Sequence, residues 1–580
     1  MTCTKFKLTT VAALVLAATN ANAALYDVVE VKTSITGASE IFGVAIQPAT
    51  VSGTESCFTT GTVGGIACDS FKLAGETRDT LEAVSYREEV PFAMDAPFQY
   101  IQEFDDFENY CYRELRYSTC ESWAQNRWND TWSKERNDLT YVNARAFVEG
   151  GETFENRNTV INSLDDDAKP VGVKSEGGIR NNALFTTTAA PTGTSETRAW
   201  KAITASNGTV YNVGSVSEEF EPTDTSKPDK AFASKAAIWD ASYTKKLDWG
   251  NSVSAREDQY FSQGSMRGIT EVNNHFYGVG YNTVNGNGDL RDMNANIFVS
   301  SQIDFTNDVD LSTVTWDNKF ISGAEVKSGS SNDDARYSNS VATDINENLF
   351  AVGYSKRNGY VPESGSAGNK IFVVSDASAS TPTATYLSGG IFFGGSSGEA
   401  KAVNNFNEFV GQIDAETTRE VDGSERRHRG FIYPYNVASS KDERRVDIFN
   451  GQAWWLDDLT NDGNASGENN KFRIIDATDI NDAGVISATA IKCMIDTDGD
   501  GRGDSEQTYD TTSHNSYCAG AASNAVEEVV AVKLIPIAGK GKADIQTRSA
   551  DTEKVDRQGG SLGWLGLTVL GLLGFRRKFK

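Results

Sequence analysis

The sequence predicts an all-β fold, a β-propeller-like repeat array of about five to seven blades. Three observations carry that expectation. Gly is abundant while Pro and Met are scarce (52, 11 and 5 of 580 residues), and plentiful Asn, Asp, Ser and Thr supply turns between short strands. One short pattern recurs along the body. Two strong strand formers lie at opposite ends of that body, where pairing would close a ring and remove an exposed edge.

The pattern is a small residue, an apolar one, an Asn or Asp turn, an aromatic or aliphatic strand and a Gly. It runs from Arg267 to Tyr281 and again from Ser340 to Tyr354. Weaker copies span Ala400 to Gly411 and Ile475 to Ile486, and a degenerate one spans Ala199 to Gly214. Each reads as a hairpin, because Asn and Asp tolerate φ > 0 at the turn and alternation turns one face inward. A further apolar strand follows each: Ala236 to Trp239, Asn296 to Ser300, Lys370 to Val374, Gly430 to Tyr433 and Glu528 to Pro536. Units of ~60 to 75 residues with such strands match four-stranded blades. The closing pair would be Ala24 to Val31 with Glu527 to Pro536. A pair of β-sandwich domains is the competing architecture, but the repeat runs across any boundary it would need.

Two stretches break the pattern. Residues 104–137 carry Phe104, Phe107, Tyr110, Leu115, Trp123, Trp128 and Trp132 among charges without alternation, which predicts a helical insertion. Residues 539–558 are polar and charged, as in a flexible stalk, so the repeat body is 24–538.

The two ends read as processing segments. Lys5 and Lys7, the apolar run Leu8 to Ala18 and the small residues Ala21 and Ala23 form a signal peptide over 1–23, cleaved after Ala23. A retained N-terminal anchor is the alternative, against which the run is short for spanning. At the other end Gly559, Gly560 and Ser561 precede the apolar run Leu562 to Phe575 and the basic stop Arg576 to Lys580. That segment, 559–580, resembles the GlyGly-CTERM sorting signal of Gram-negative bacteria. The resemblance implies a transmembrane sorting helix, transiently held in the inner membrane and cut by a rhomboid-type protease (rhombosortase) after signal peptidase has acted. An ordinary C-terminal anchor that is never cut is the alternative. The repeats are similar to HAF-like extracellular repeats. With both end signals, the chain resembles an uncharacterised family, a domain of unknown function, of exported proteins with this tag. The resemblance implies a periplasmic, cell-surface or secreted destination and supplies no catalytic motif.

Charge and cysteines fit that destination. Setting aside the six basic residues of the two end segments leaves 48 basic against 80 acidic residues, a net −32. Nucleic acid is excluded as a partner, since phosphate neutralisation needs a basic face. Six cysteines remain once Cys3 leaves with the signal peptide. They allow fifteen connectivities, and the short loops favour Cys57 with Cys68, Cys111 with Cys120 and Cys493 with Cys518, which an oxidising compartment would keep closed. No Cys-x-x-Cys spacing points to zinc.

The chemistry-bearing motifs are few. Asp496, Asp498 and Asp500 occupy the first, third and fifth places of a D-x-D-x-D-G calcium loop, Arg502 offers a carbonyl and Asp504 a further carboxylate. Gln507 stands where that loop carries a bidentate Glu, with Glu506 one residue short, so the expected calcium site is weak. Arg426, Arg427, His428 and Arg429 form a basic island, read as a solvated loop. Trp454 and Trp455 followed by Leu456-Asp-Asp-Leu459 read as blade core with an edge turn. Gly389 to Gly398 lacks the Lys-Ser/Thr of a phosphate loop. No nucleophile elbow, H-E-x-x-H or paired-acid signature stands out. The expected function is a non-catalytic surface propeller that binds or adheres to a glycan or protein. The alternative is a secreted hydrolase or lyase acting on polysaccharide, with acids drawn from several blades.

Overall fold

Each recurring pattern forms the first two strands of an antiparallel blade. In blade three, Gly264–Val272 pairs with His275–Thr283, then come Met293–Ser300 and the short outer strand Trp316–Phe320. The structure is a computed structural model describing residues 24–549, apart from position 54, stretches at 113–118, 130–132, 135–137 and 139, and residues 79–103, 177–178, 185–195, 221–230, 251–252, 258–259, 285–292, 326–339, 357–367, 418–425 and 438–442. Blades two, four and five start at Glu196–Thr204, Ser340–Ile345 and Gly398–Val403 and repeat the same order. Blade one starts at Glu40–Ile46, and its strands are split by the long insertion that separates Leu73–Arg78 from Arg145–Val148. A three-stranded sheet led by Thr159–Leu164 takes the place between blades one and two. Blade six starts at Phe472–Ile480.

The innermost strands touch in a closed circuit, which makes the molecule a β-propeller of six full blades with the three-stranded sheet in the ring. Apolar side chains fill the seams. Tyr211, Val213 and Ile238 of blade two meet Met266, Phe276 and Phe298 of blade three, and Val279 and Ile297 meet Ala342, Ile345 and Phe372 of blade four. Closure is as the end strands foretell. Tyr26–Glu30 is the outer strand of blade six, with Tyr26 opposite Pro536 and Glu30 opposite Val532. Its open edge is covered in part: the Val28 N–H donates to Asn469 Oδ1 and Asn469 Nδ2 donates to the Tyr26 carbonyl, both at 2.9 Å.

A β-bulge interrupts the inner strand of all six blades and of the three-stranded sheet, after Gly43, Ala199, Met266, Ala342, Ala400 and Ile474 in the blades and after Ile161 in the sheet. The bulge explains the recurring Gly. A Cβ on Gly172, Gly214, Gly280, Gly353 or Gly411 of the second strand would lie 1.8–2.3 Å from a carbonyl oxygen just before the bulge. The ladder stays closed there only without a side chain.

The motif Ala-Thr-Asp-Ile-Asn, present as 342–346 and 477–481, is a clasp between blades. In the first copy Thr343 Oγ1 donates to the Ala400 carbonyl (2.9 Å), Asp344 Oδ2 accepts from the Val403 N–H (3.1 Å) and Asn346 Nδ2 donates to the Asn404 carbonyl (2.7 Å). In the second, Thr478 reaches the Gly43 carbonyl, Asp479 Oδ2 takes the Ile46 N–H and Asn481 reaches the Gln47 carbonyl, each at 3.0 Å. The acceptors and donors in the next blade have the same spacing both times. The Asn also caps its own turn: Asn346 Oδ1 accepts the Asn348 and Phe350 N–H groups. A turn signal in the sequence is therefore also a seam bond.

The disulfides are Cys57–Cys68, Cys111–Cys120 and Cys493–Cys518. The insertion is helical over Phe104–Tyr110 and Glu121–Arg127, and Phe107 packs on Trp123 and Trp128, each at 6.3 Å between ring centroids. The chain continues past the expected body boundary at 538 in contact with the ring. Arg548 is only 5 % exposed there, where its side chain donates to the Asp457 and Asp510 carbonyls and to Asn470 Oδ1, and its own N–H donates to Asp458 Oδ1. Residues 1–23 and 550–580, which hold Ala23, Gly559, Gly560 and Ser561, lie outside the described residues. Among the described residues no helix is long and apolar enough to cross a membrane.

Candidate functional site

Charged groups meet across the ring beside the clasps. The bulge in blade two brings Lys201 to the inner edge, and its ammonium lies 2.6 Å from Asp344 Oδ1 of blade four. It passes over blade three at Gly268, where a Cβ would come within 2.8 Å of the same Asp344 oxygen. Burial opposes the lysine's charge, but Asp344 and then Asp479 outweigh it and hold the ammonium above its ordinary range. Asp479 of blade six has the opposite balance. Burial pushes its carboxyl up to about 6, against the pull of Lys201 and of the Ile46 N–H, with the Asp344 charge adding to the rise. Arg267, at the blade-three bulge, stacks on Trp200 with its guanidinium carbon 3.5 Å from the ring centroid. In blade five, burial would raise the Glu399 carboxyl, yet Lys401 at 2.8 Å holds it below its usual value.

The expected calcium residues fall on the loop between two strands of blade six, next to the Cys493–Cys518 bridge. Asp496, Asp498 and Asp504 converge there, with ligand oxygens all within 4.8 Å of one another. Asp500 is not in that group; its Oδ1 accepts the Arg502 N–H at 2.8 Å. Asp496 accepts the Gly499 and Gly501 N–H groups at 2.6 and 2.9 Å. Asp504 takes the hydroxyl and N–H of Thr497, which keep its carboxyl below the usual range. Glu506 cannot stand in for the missing bidentate ligand, because Lys471 and Lys492 hold it at 2.5 and 2.7 Å and its carboxyl down at about 2.

The basic island is not a solvated loop. Arg426 is buried, 3.0 Å from Asp414, and buried Arg429 faces Asp457 at 3.1 Å, while His428 lies 3.1 Å from Asp414. The island belongs to strand His428–Pro434 and its approach, where interior carboxylates accept the guanidinium groups. Trp454 and Trp455 form the outer strand of blade five and lead into the turn of helix Leu456–Leu459, as the sequence indicates.

The family described as "Protein of unknown function (DUF3466)" matches residues 207–578, more than half of the sequence. The chain belongs to that family. No curated protein matches it. The DUF3466 region opens at Asn207, in the turn that follows the first strand of blade two. It takes in Asp344, Asp479 and the 496–504 loop, while Lys201 and all of blade one precede it. In this DUF3466 protein, sequence reasoning found the acidic loop and missed the axial groups. Lys201 carried only a weak signal, one of three charged residues in the strand Glu196–Thr204 of the most degenerate repeat.

Proposed function

We propose that this chain is an exported, surface-associated propeller that binds a glycan or protein partner without catalysis. In that reading signal peptidase cuts after Ala23, and a rhomboid-type sorting protease acts at Gly559-Gly560-Ser561. The observation that carries it is the pairing of Tyr26–Glu30 with the Ala525–Pro536 strand, both in blade six. Removing 1–23 and 559–580 would then leave every strand among the described residues in place. The three disulfides support an oxidising destination. Support for binding over chemistry comes from the axial lysine, which neutralises one of the carboxylates that acid–base catalysis would need free.

Mass spectrometry of the mature ends, in cells with and without the sorting protease, is expected to return Ala24 and loss of Lys580 only where the protease is present. An intact Lys580 in wild-type cells overturns the sorting step. Glycan arrays and pull-downs with the 24–558 body are expected to return a saturable ligand. The hydrolase or lyase reading rests on Asp479, whose carboxyl keeps its proton to about pH 6 in the manner of a general acid. Polysaccharide cleavage that disappears in Asp479→Asn would replace binding by catalysis.

Calcium belongs to the same proposal. Asp496, Asp498 and Asp504 would hold the ion weakly, at the millimolar levels of an extracellular site. Calcium at ten times its Kd is expected to add about 1.4 kcal/mol of stability. Asp498→Ala should abolish that gain, and an equal gain in the variant removes the site.

A further inference from the structure

We propose that the segment around the Cys57–Cys68 bridge is a redox-set strap that locks the closing strand, so that the ring is fully closed only where these two thiols are oxidised. The segment belongs to blade one, in the connection between Glu40–Ile46 and Leu73–Arg78, yet it is anchored on blade six at both ends. At the first end the Cys57 N–H donates to the Ala483 carbonyl of the blade-six turn at 3.0 Å. The Phe58 carbonyl accepts the Gly539 N–H at 2.8 Å. At the other end the Asp69 and Phe71 carbonyls accept the buried Lys533 ammonium at 2.7 and 2.9 Å, with Glu149 of blade one as its counter-charge at 2.8 Å. Lys533 lies opposite Val29 in the pairing that closes the ring. Between the anchors Gly64 and Gly65, at φ of +55° and +83°, turn a short hairpin of Thr62–Val63 and Ile66–Ala67.

Phe58 makes the contact with the closing strand itself. Its buried ring meets Tyr26 at 5.5 Å between centroids and Phe449 at 5.4 Å, both edge-on, and the Arg444 guanidinium lies 5.1 Å from it. Cys57, Val63, Cys68 and Phe71 pack with Ala483, Val485 and Ala531 of blade six in one apolar cluster. Phe58 directly follows Cys57, so the bridge fixes the backbone that aims this ring at Tyr26. Bridge formation joins the two sulfurs, releases two protons and passes two electrons to a disulfide oxidant, which becomes two thiols; a dithiol reverses the exchange. The lock holds whatever the chain's destination, while its timing, closure after export, rests on the exported reading.

Amide hydrogen exchange on the 24–558 body tests the lock, with Cys57→Ala/Cys68→Ala as the variant and Cys111→Ala/Cys120→Ala as the control. Exchange across Tyr26–Glu30 is expected to rise about tenfold in the variant, while Gly264–Val272 of blade three keeps its wild-type rate. The control is expected to leave Tyr26–Glu30 at the wild-type rate. No rise across Tyr26–Glu30 overturns the lock. A rise shared equally by blade three, or matched by the control, marks a bridge that only stabilises the whole fold, and overturns it too. Phe58→Ala, with every bridge intact, carries the test alone if the double variant fails to fold. It should speed exchange across Tyr26–Glu30 and not in blade three, and a wild-type or uniform response overturns the lock.

Discussion

Gly214→Ala is expected to destabilise the ring by about 3–5 kcal/mol, in the range reserved for a buried clash that the backbone must relieve. A Cβ at this position would lie 1.8 Å from the Arg198 carbonyl oxygen and 2.9 Å from its carbon, with the Ala199 Cα at 3.2 Å. All three are backbone atoms, held by a ladder whose register shifts between Ala199 and Lys201. No rotamer change can relieve such a contact. Either the bulge is lost, and Lys201 no longer faces the ring, or the two strands part. Gly37→Ala is the control. Gly37, by contrast, has no neighbour within 4 Å of a new Cβ, and its φ of +76° alone makes the change cost about 1 kcal/mol. Urea titration of both variants decides the matter: if Gly214→Ala lies within about 1 kcal/mol of Gly37→Ala, the bulge does not impose the glycine.

That result would explain why the fold was so legible. The bulge, the Asn turn and the glycine recur together, and each has one physical cause, so five hairpins and their following strands fell where the sequence put them. The closing strand was legible because Val recurs in both partners. Blade one was harder to see, since its second and third strands, Leu73–Arg78 and Arg145–Val148, lie far apart in sequence. The three-stranded sheet escaped because it lacks the Asn turn, using Asp165 to Lys169 in its place.

The site was less legible for a different reason. Thr343, Asp344 and Asn346 look like ordinary turn and surface residues, because hydrogen bonds to the next blade leave no periodic trace in one strand. Lys201 and Asp344 are paired across 143 positions, which local pattern cannot register. The basic island misled for a related reason. Arg426 and Arg429 read as solvated until Asp414 and Asp457, which lie on other segments, are seen to receive them. Clustered carboxylates on one loop, by contrast, keep their spacing visible, and Asp496, Asp498 and Asp504 do converge.

The same blindness to distant partners applies to the chain's own end, and it yields the second large effect. A body cut at 538 is expected to be less stable than the 24–558 body by about 3–5 kcal/mol, because the cut removes Arg548 from an interior lined with charges. Arg548 is held by the Asp457 and Asp510 carbonyls and Asn470 Oδ1, and its backbone N–H meets Asp458 Oδ1 at 2.7 Å. Asp457 also faces the Arg429 guanidinium at 3.1 Å, while Asp458 Oδ1 lies 3.2 Å from His514 Nε2. Loss of the guanidinium leaves Asp458 short of positive charge in a place with little water, and such a deficit is costlier than the lost hydrogen bonds alone. Arg548→Ala in the 24–558 body separates the side chain from the rest of the segment. It should recover most of the truncation's effect, about 3 kcal/mol, with faster proteolysis between blades five and six. Equal urea midpoints for the 538 and 558 bodies would mean that the segment only rests on the ring. A loss as large as expected would instead make residues 539–549 part of the folded unit, joined to blade six as firmly as the N-terminal strand is.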